Sequence, residues 1–225
     1  DLWRNGEHNH VKSIGAYWAL LANLVPKERL DAFVAHLENE NEFKRPHRVP
    51  TLSADHPAYR ADGGYWCGGV WAPTTYMVLK GLRKNGYDNL AYDIACNHLE
   101  NVVSVFRQTG TLWENYAPET ATHGSPAKND FVGWTGLTPI AVLMEYVFGI
   151  CPNSAQKHII WYINRHEKHG VMRYPFGGGF LNLLCESRKE GERPHVTVSG
   201  DVKVTLELRW ENGSDTITYC PSGCV

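Results

Sequence analysis

Apolar residues recur at helical spacing through 11–24, VKSIGAYWALLANL, and again after Pro26 in PKERLDAFVAHLEN, where a proline is tolerated because an N–H there would have no partner. This predicts a first helical hairpin. Residues 45–71 then break the pattern with three prolines and four glycines, the mark of a long irregular segment of the kind that usually carries function. Helical spacing returns in PTTYMVLKGLRKNG, stopped at Gly86, and in DNLAYDIACNHLENVVSVFRQTG, stopped at Gly110, which predicts a second hairpin. It leads into a loop over 111–137, TLWENYAPETATHGSPAKNDFVGWTGL, and then into the almost wholly apolar stretch 137–150, read as a helix buried in a helical assembly. After Cys151 the period shortens. HIIWYI, GVMRYPF, HVTVSG, VKVTLELRW and DTITYC alternate in the manner of strands, separated by Gly, Pro and Asn-Gly signals, with FGGGF (176–180) as a turn between two of them.

These elements place a helical portion in 1–150 and a small β-rich module in 151–225. The expected fold class is mainly α, with the helical hairpins forming part of an α/α toroid whose aromatic loops gather at one end. The helices are too few to close a double ring.

Composition narrows the classes. The 225 residues are 43% hydrophobic and 20% charged with a formal net charge of −2, ordinary for a soluble globular chain and without the clustered Lys and Arg of nucleic-acid or anionic-membrane binders. No nucleic acid and no membrane are therefore expected as partners. No run approaches the roughly 20 apolar residues of a membrane helix, and DLWRNGEHNH lacks the features of a signal peptide, so the chain reads as soluble, with cytoplasm and periplasm both open. The six cysteines read as free thiols, with the state of Cys220 and Cys224 left open, and CPSGC has no second pair to make a zinc site. Neither a metal nor a cofactor is expected. Aromatic residues make up 12% of the chain, including eight tryptophans and eleven tyrosines, and such rings stack on the apolar faces of sugars or fill cores.

The chemistry concentrates in the 111–137 loop, where Trp113, Tyr116, Phe131 and Trp134 surround Glu114 and Glu119. Loops normally carry small polar residues, so these rings wall either a core or a ligand cleft. Glu119, after Pro118, is expected to face solvent, and Glu145, inside the apolar stretch, to be a paired structural group. HEKH (166–169) has the wrong spacing for a zinc helix, FGGGF lacks the lysine and setting of a phosphate loop, and Asn212-Gly-Ser is a glycosylation sequon only in a secretory setting. His8, His10 and His123 read as solvated loop histidines.

Two blocks, GGYWCGGVWAPTTYMVLKGL (63–82) and WENYAPE (113–119) followed by FVGWTGL (131–137), resemble the C-terminal part of the catalytic domain of the inverting α-glucosidases of glycoside hydrolase family 63, with kinship to trehalases. VKSIGAYWALLA and RPHRVPTLSADHP read the same way, and the resemblance spans about residues 10–185. It implies an (α/α)6 toroid with a pocket for a terminal glucose, no cofactor, and an oligosaccharide or small α-glucoside as substrate. An inverting glycosidase needs one carboxylic acid to protonate the leaving oxygen and one carboxylate to activate water, roughly 6.5–9.5 Å apart. The resemblance assigns the base to Glu114, makes Asn115 a hydrogen-bond candidate, and places Tyr65, Trp66, Trp71, Trp113, Tyr116, Phe131 and Trp134 on the pocket wall. Each of these rings could also be core, with Trp66 and Trp134 the favoured pocket residues.

The family's acid is an aspartate far upstream, so this chain is expected to be a C-terminal portion whose partner is the missing N-terminal part of the same enzyme, with little turnover alone. The block also departs from the family pattern, which carries an arginine and then glycine-proline where this chain has Cys67, Gly68 and Gly69. Two rival readings stand beside it. One is a non-catalytic carbohydrate-binding or scaffold module, the other a helical interaction domain without a ligand. Oligomeric state is not legible.

Overall fold

The computed structural model describes residues 5–221, and the chain divides into two compact units, Asp1–Val142 and Leu143–Val225. The division falls inside the apolar segment and not after Ile150, where the sequence pattern placed it.

In the first unit the helix expected over 11–24 is cut short. Ser13 is extended and bridges Leu52, a 3-10 turn covers Ile14–Tyr17, and α1 spans only Trp18–Leu21. The cause is tertiary: the Ile14 N–H donates to the Thr51 carbonyl (3.0 Å) and the Ser53 N–H to the Lys12 carbonyl (3.0 Å), so the long loop takes the backbone groups a helix would use. Helix α2 is Lys27–Ala35, with Pro26 as its N-cap, and it tightens into a 3-10 turn at His36–Glu38. Helices α3 (Ala72–Lys84) and α4 (Asp88–Thr109) form the second hairpin as expected and pack on each other. Gly81 of α3 lies under α1, where an added Cβ would meet Leu20 Cγ at 3.2 Å. Asn85 then closes the joint by donating to the Leu20 carbonyl (3.1 Å).

The loop over 39–71 has no helix or strand of its own, yet Phe43, Val49, Leu52 and Val70 are buried and its backbone is tied down, for example by Thr51 N–H to the Gly69 carbonyl (3.1 Å). Residues 134–137 form a 3-10 turn, and Thr138–Val147 winds as a π-helix, not the α-helix the apolar run suggested.

The second unit has seven strands: β1 Ile150–Asn153, β2 His158–Tyr162, β3 His169–Phe176, β4 Gly179–Cys185, β5 Val196–Gly200, β6 Val204–Trp210 and β7 Gly213–Tyr219. One sheet runs β1-β2-β6-β7, with β2 and β6 parallel; the other is the antiparallel meander β3-β4-β5. Alternate residues of both sheets, among them Ile159, Trp161, Leu181, Leu183, Leu206 and Leu208, enter a single core. Gly177 and Gly178 both have positive φ, as a two-residue hairpin between β3 and β4 requires.

HEKH belongs to this unit, and its two histidines are engaged separately: His166 pairs with Glu211 (2.7 Å) and His169 packs edge-on to Trp161. Among the described residues no cluster of metal-ligating side chains occurs. Among the described residues helices account for 33% and sheets for 24%, so the chain is a helical unit followed by a β unit and is not mainly α. Cys67, Cys185 and Cys220 are free thiols, and Cys224 lies outside the described residues. No helix among them is long and apolar enough to cross a membrane.

Candidate active site

The Glu114 N–H donates to the Lys128 carbonyl (2.9 Å), and its own carbonyl accepts the Trp134 indole N–H (3.1 Å), so both flanks of the 111–137 loop hold its backbone. Its carboxylate is asymmetric. Oε1 accepts the Tyr65 hydroxyl at 3.1 Å, while Oε2 accepts the Lys128 N–H at a long 3.4 Å. Desolvation, reinforced by that carboxylate, raises the Tyr65 phenol above its ordinary range and keeps it a donor.

Tyr65 reaches Glu114 because its backbone is bent into the left-handed region (φ 61°), after Gly63 and Gly64, which also have positive φ. The bend is held at the Tyr65 carbonyl, which accepts the Gly69 N–H (3.1 Å) and the Trp71 indole N–H (3.2 Å). A Cβ on Gly69 would fall 2.3 Å from that carbonyl oxygen, and one on Gly68 would fall 2.8 Å from the Arg60 carbonyl. The glycines after Cys67, which the sequence presents as a departure, are thus demanded by close backbone approach.

The structure divides the rings named from sequence into two groups. Tyr65, Trp66, Trp71, Phe131 and Trp134 form one continuous set beside Glu114: Trp66 stacks on Trp71 (4.4 Å, 5°), Tyr65 meets Trp71 edge-on (4.7 Å, 88°), Trp134 lies 5.6 Å from Trp71, and Phe131 lies 5.0 Å from Trp134. Trp71 is fully buried at the base, whereas Trp66 and Trp134 are 54% and 40% exposed and face solvent.

Trp113, Asn115 and Tyr116 do not join that set. Trp113 packs on Val70, Val102, Val105 and Tyr116, donates its indole N–H to Thr109 (3.1 Å), and stacks on His123 (3.8 Å, 16°). Tyr116 is buried, its phenol is pushed up to about 12 by desolvation, and its hydroxyl accepts the Trp113 N–H (3.2 Å). Asn115 is fully buried and donates to the Pro126 carbonyl (3.1 Å).

Sequence reasoning also missed several polar partners. Glu119 is only partly exposed and is not free in solvent: both its oxygens are taken by Arg45, through Nε (2.6 Å) and Nη2 (2.9 Å), and Oε1 also accepts the Tyr59 hydroxyl (2.6 Å). His123 is exposed but lies flat on Trp113 and is bonded to the Gly124 carbonyl (2.9 Å). Beneath the loop a buried chain links His47 Nε2 to His98 Nδ1 (2.9 Å) and His98 Nε2 to the Thr138 hydroxyl (2.9 Å). Burial depresses both imidazoles, His98 to about 4. The signal available for Glu119 was the arginine that opens RPHR, and nothing in the sequence pairs residues so far apart.

The chain also matches known proteins. Residues 2–135, which contain the 63–82 block, WENYAPE and Glu114, match the mannosylglycerate hydrolase MGH1-like glycoside hydrolase domain. The chain belongs to this glycoside hydrolase family. Among relatives of this MGH1-like domain, a probable mannosyl-oligosaccharide glucosidase of Schizosaccharomyces pombe is 32% identical over 52% of this chain and 16% of its own length. The mannosylglycerate hydrolase of Rubrobacter radiotolerans is 28% identical over 63% of this chain and 30% of its own. An uncharacterised protein of Borreliella burgdorferi is 24% identical over 85% and 43% respectively. The chain thus spans under half the length of these relatives. In fold it is similar to the mannosylglycerate hydrolase of family 63 from Thermus thermophilus, solved in complex with glucose, at a TM-score of 0.50 with 22% identity over 62% of this chain and 31% of that one.

Proposed function

We propose that this chain is the base-bearing portion of an inverting glycosidase of family 63 that removes a terminal α-linked glucose or a closely related α-glycosyl unit. The observation that carries the reading is the asymmetric Glu114 carboxylate set beside an exposed aromatic wall: Oε1 is held by Tyr65, and Oε2, engaged by one long contact from Lys128, retains a lone pair for a water proton. Trp66 and Trp134 offer open ring faces to the apolar side of a sugar, with Trp71 as their rigid backing. In an inverting mechanism Glu114 takes a proton from water as that water attacks the anomeric carbon, while a carboxylic acid on the opposite side protonates the departing oxygen. The helical unit contributes one segment of an (α/α)6 toroid, and the acid belongs to the rest of the enzyme. Mannosylglycerate hydrolase and mannosyl-oligosaccharide glucosidase relatives support the substrate class, and the glucose-bound structure is consistent with a hexose in such a pocket.

Glucose titrated into the chain should quench or shift tryptophan emission, and Trp66→Ala should abolish most of that change. In a longer protein that carries this segment, Glu114→Gln should lower hydrolysis of nitrophenyl α-glucoside by about 10²–10⁴-fold. A fluorescence signal indifferent to glucose would sink the pocket. Hydrolysis indifferent to Glu114→Gln, with glucose binding intact, would leave a carbohydrate-binding module in place of a hydrolase.

A further inference from the structure

Glu119 lies five residues after Glu114 on the same loop, and its hydrogen-bond partners are Arg45 and Tyr59. We propose that Glu119 is a positioning residue: by clamping Arg45 and Tyr59, it closes the ring of contacts that presents the Glu114 carboxylate to Tyr65. The proposal rests on the reading of Glu114 as the site's carboxylate.

The clamp joins three chain segments. Arg45 makes a two-point fork on Glu119 and also bonds the Glu40 carbonyl, so the guanidinium is fixed in plane and direction. That pairing holds the Glu119 carboxyl below the usual carboxylate range and Arg45 above its own. Two residues on from Arg45, the His47 N–H donates to the Pro118 carbonyl (2.8 Å), which fastens the base of the Glu114 loop from the same side.

Tyr59 carries the connection to the opposite loop. While its hydroxyl is on Glu119, its ring lies under Gly68, where an added Cβ would touch Tyr59 Cε2 at 3.0 Å. The adjacent Arg60 N–H donates to the Cys67 carbonyl (2.8 Å). Cys67 and Gly69 in turn hold the bend at Tyr65, through Cys67 N–H to the Gly64 carbonyl (3.1 Å) and Gly69 N–H to the Tyr65 carbonyl (3.1 Å).

The contacts therefore form a closed circuit: Glu119 to Tyr59, Tyr59 and Arg60 to Cys67–Gly69, Gly69 to Tyr65, Tyr65 to Glu114, and Glu114 back along its loop to Glu119. The loop is pinned midway by paired bonds between Tyr116 and Val70, N–H to carbonyl at 3.0 Å and 2.9 Å. Opening a closed circuit at one joint lets both loops move, and the softest joint is the strained Tyr65 turn, whose left-handed backbone persists only while its surroundings hold it. An ordinary surface ion pair would contribute little and act only locally.

The test reads Tyr65 directly by ¹³Cζ NMR of labelled tyrosine, with the signal assigned by its loss in Tyr65→Phe. Glu114→Ala supplies the reference position for a lost carboxylate contact. Glu119→Gln keeps an acceptor oxygen for Tyr59 but removes the charge that holds Arg45, and should move the Tyr65 signal most of the way to that reference although the two residues do not touch. Arg45→Lys, which keeps the charge without the fork, should move it part of the way, and serves in the same role if Glu119→Gln does not fold. A Tyr65 signal that stays put in the folded variants, whatever their melting temperature, overturns the proposal. Glucose titration of the same samples is a separate arm: a wild type blind to glucose argues against the glycosidase reading and leaves the Tyr65 result standing.

Discussion

At the scale of single residues, the motif GGYWCGGVW contains two tryptophans with opposite surroundings. Trp71 is wholly buried, with its indole N–H on the Tyr65 carbonyl, and its neighbour in the stack, Trp66, is more than half exposed. Trp71→Ala should therefore cost about 3–5 kcal/mol in urea denaturation through the cavity it leaves. Trp66→Ala should cost about 1 kcal/mol or less, because only one ring face and an aromatic contact are lost. Equal costs for the two would mean that Trp66 is a core ring and not a wall open to ligand. The sequence named every ring around Glu114 but not which way each points. Trp113 and Glu114 are neighbours on one loop yet face different surroundings, since only the packing of Trp113 on Val102 and Val105 of α4 and on Val70 decides its side.

At the scale of elements, the stops were more legible than the starts. Helix α4 ends where the glycine signal put it: Gly110 adopts φ 75°, its N–H closes on the Phe106 carbonyl (2.7 Å), and no atom lies within 4 Å of where a Cβ would be. Gly110→Ala should consequently lower stability by about 1 kcal/mol through backbone conformation alone, and Gly110→Asn by less, because asparagine tolerates the left-handed region better. Thermal melts of the two variants would decide this, and an alanine as stable as wild type would remove the left-handed cap from the account. Apolar spacing over 11–24 predicts too long a helix because it is blind to the loop segment Thr51–Ser53, which takes backbone groups of Lys12 and Ile14. The apolar run at 137–150 was read as one helix for a similar reason. Hydrophobicity marks burial there, while the winding as a π-turn and the strand beginning at Ile150 depend on neighbours.

At the scale of the whole molecule, the buried histidine chain sets how stability responds to acid. His98 is neutral in the folded state, with its pKa lowered by burial to about 4, whereas in the unfolded chain an imidazole titrates near 6.5. As pH falls below about 6.5 the unfolded state takes up a proton that the folded state refuses, so stability is full above that value and is lost progressively toward pH 4. His98 alone accounts for a loss on the order of 3 kcal/mol across that window. His47, depressed in the same direction by burial and by His98, adds to it. The carboxylates held low by partners, such as Glu119 and Asp55, act at more acidic pH and do not confuse the upper part of the range. Chemical denaturation at pH 7.5 and pH 5 should show the difference, and His98→Gln should flatten it. An unchanged slope in that variant would place the acid sensitivity elsewhere.

By itself the sequence determined the family, through two aromatic glycine-rich blocks long enough to be specific, and it determined the second helical hairpin and most of the strands. These depend on local periodicity and on glycine and proline, whose conformational preferences act within a few residues. Only the tertiary structure decided which rings line Glu114, that Tyr65 reaches its carboxylate, that Asn115 is buried on the Pro126 carbonyl, and that Glu119 belongs to Arg45 and Tyr59. Those pairings join residues 45, 59, 65, 114 and 119 across loops with no periodicity of their own, and the preference of one loop for another lies in close backbone approach and hydrogen-bond geometry that one-dimensional pattern does not encode.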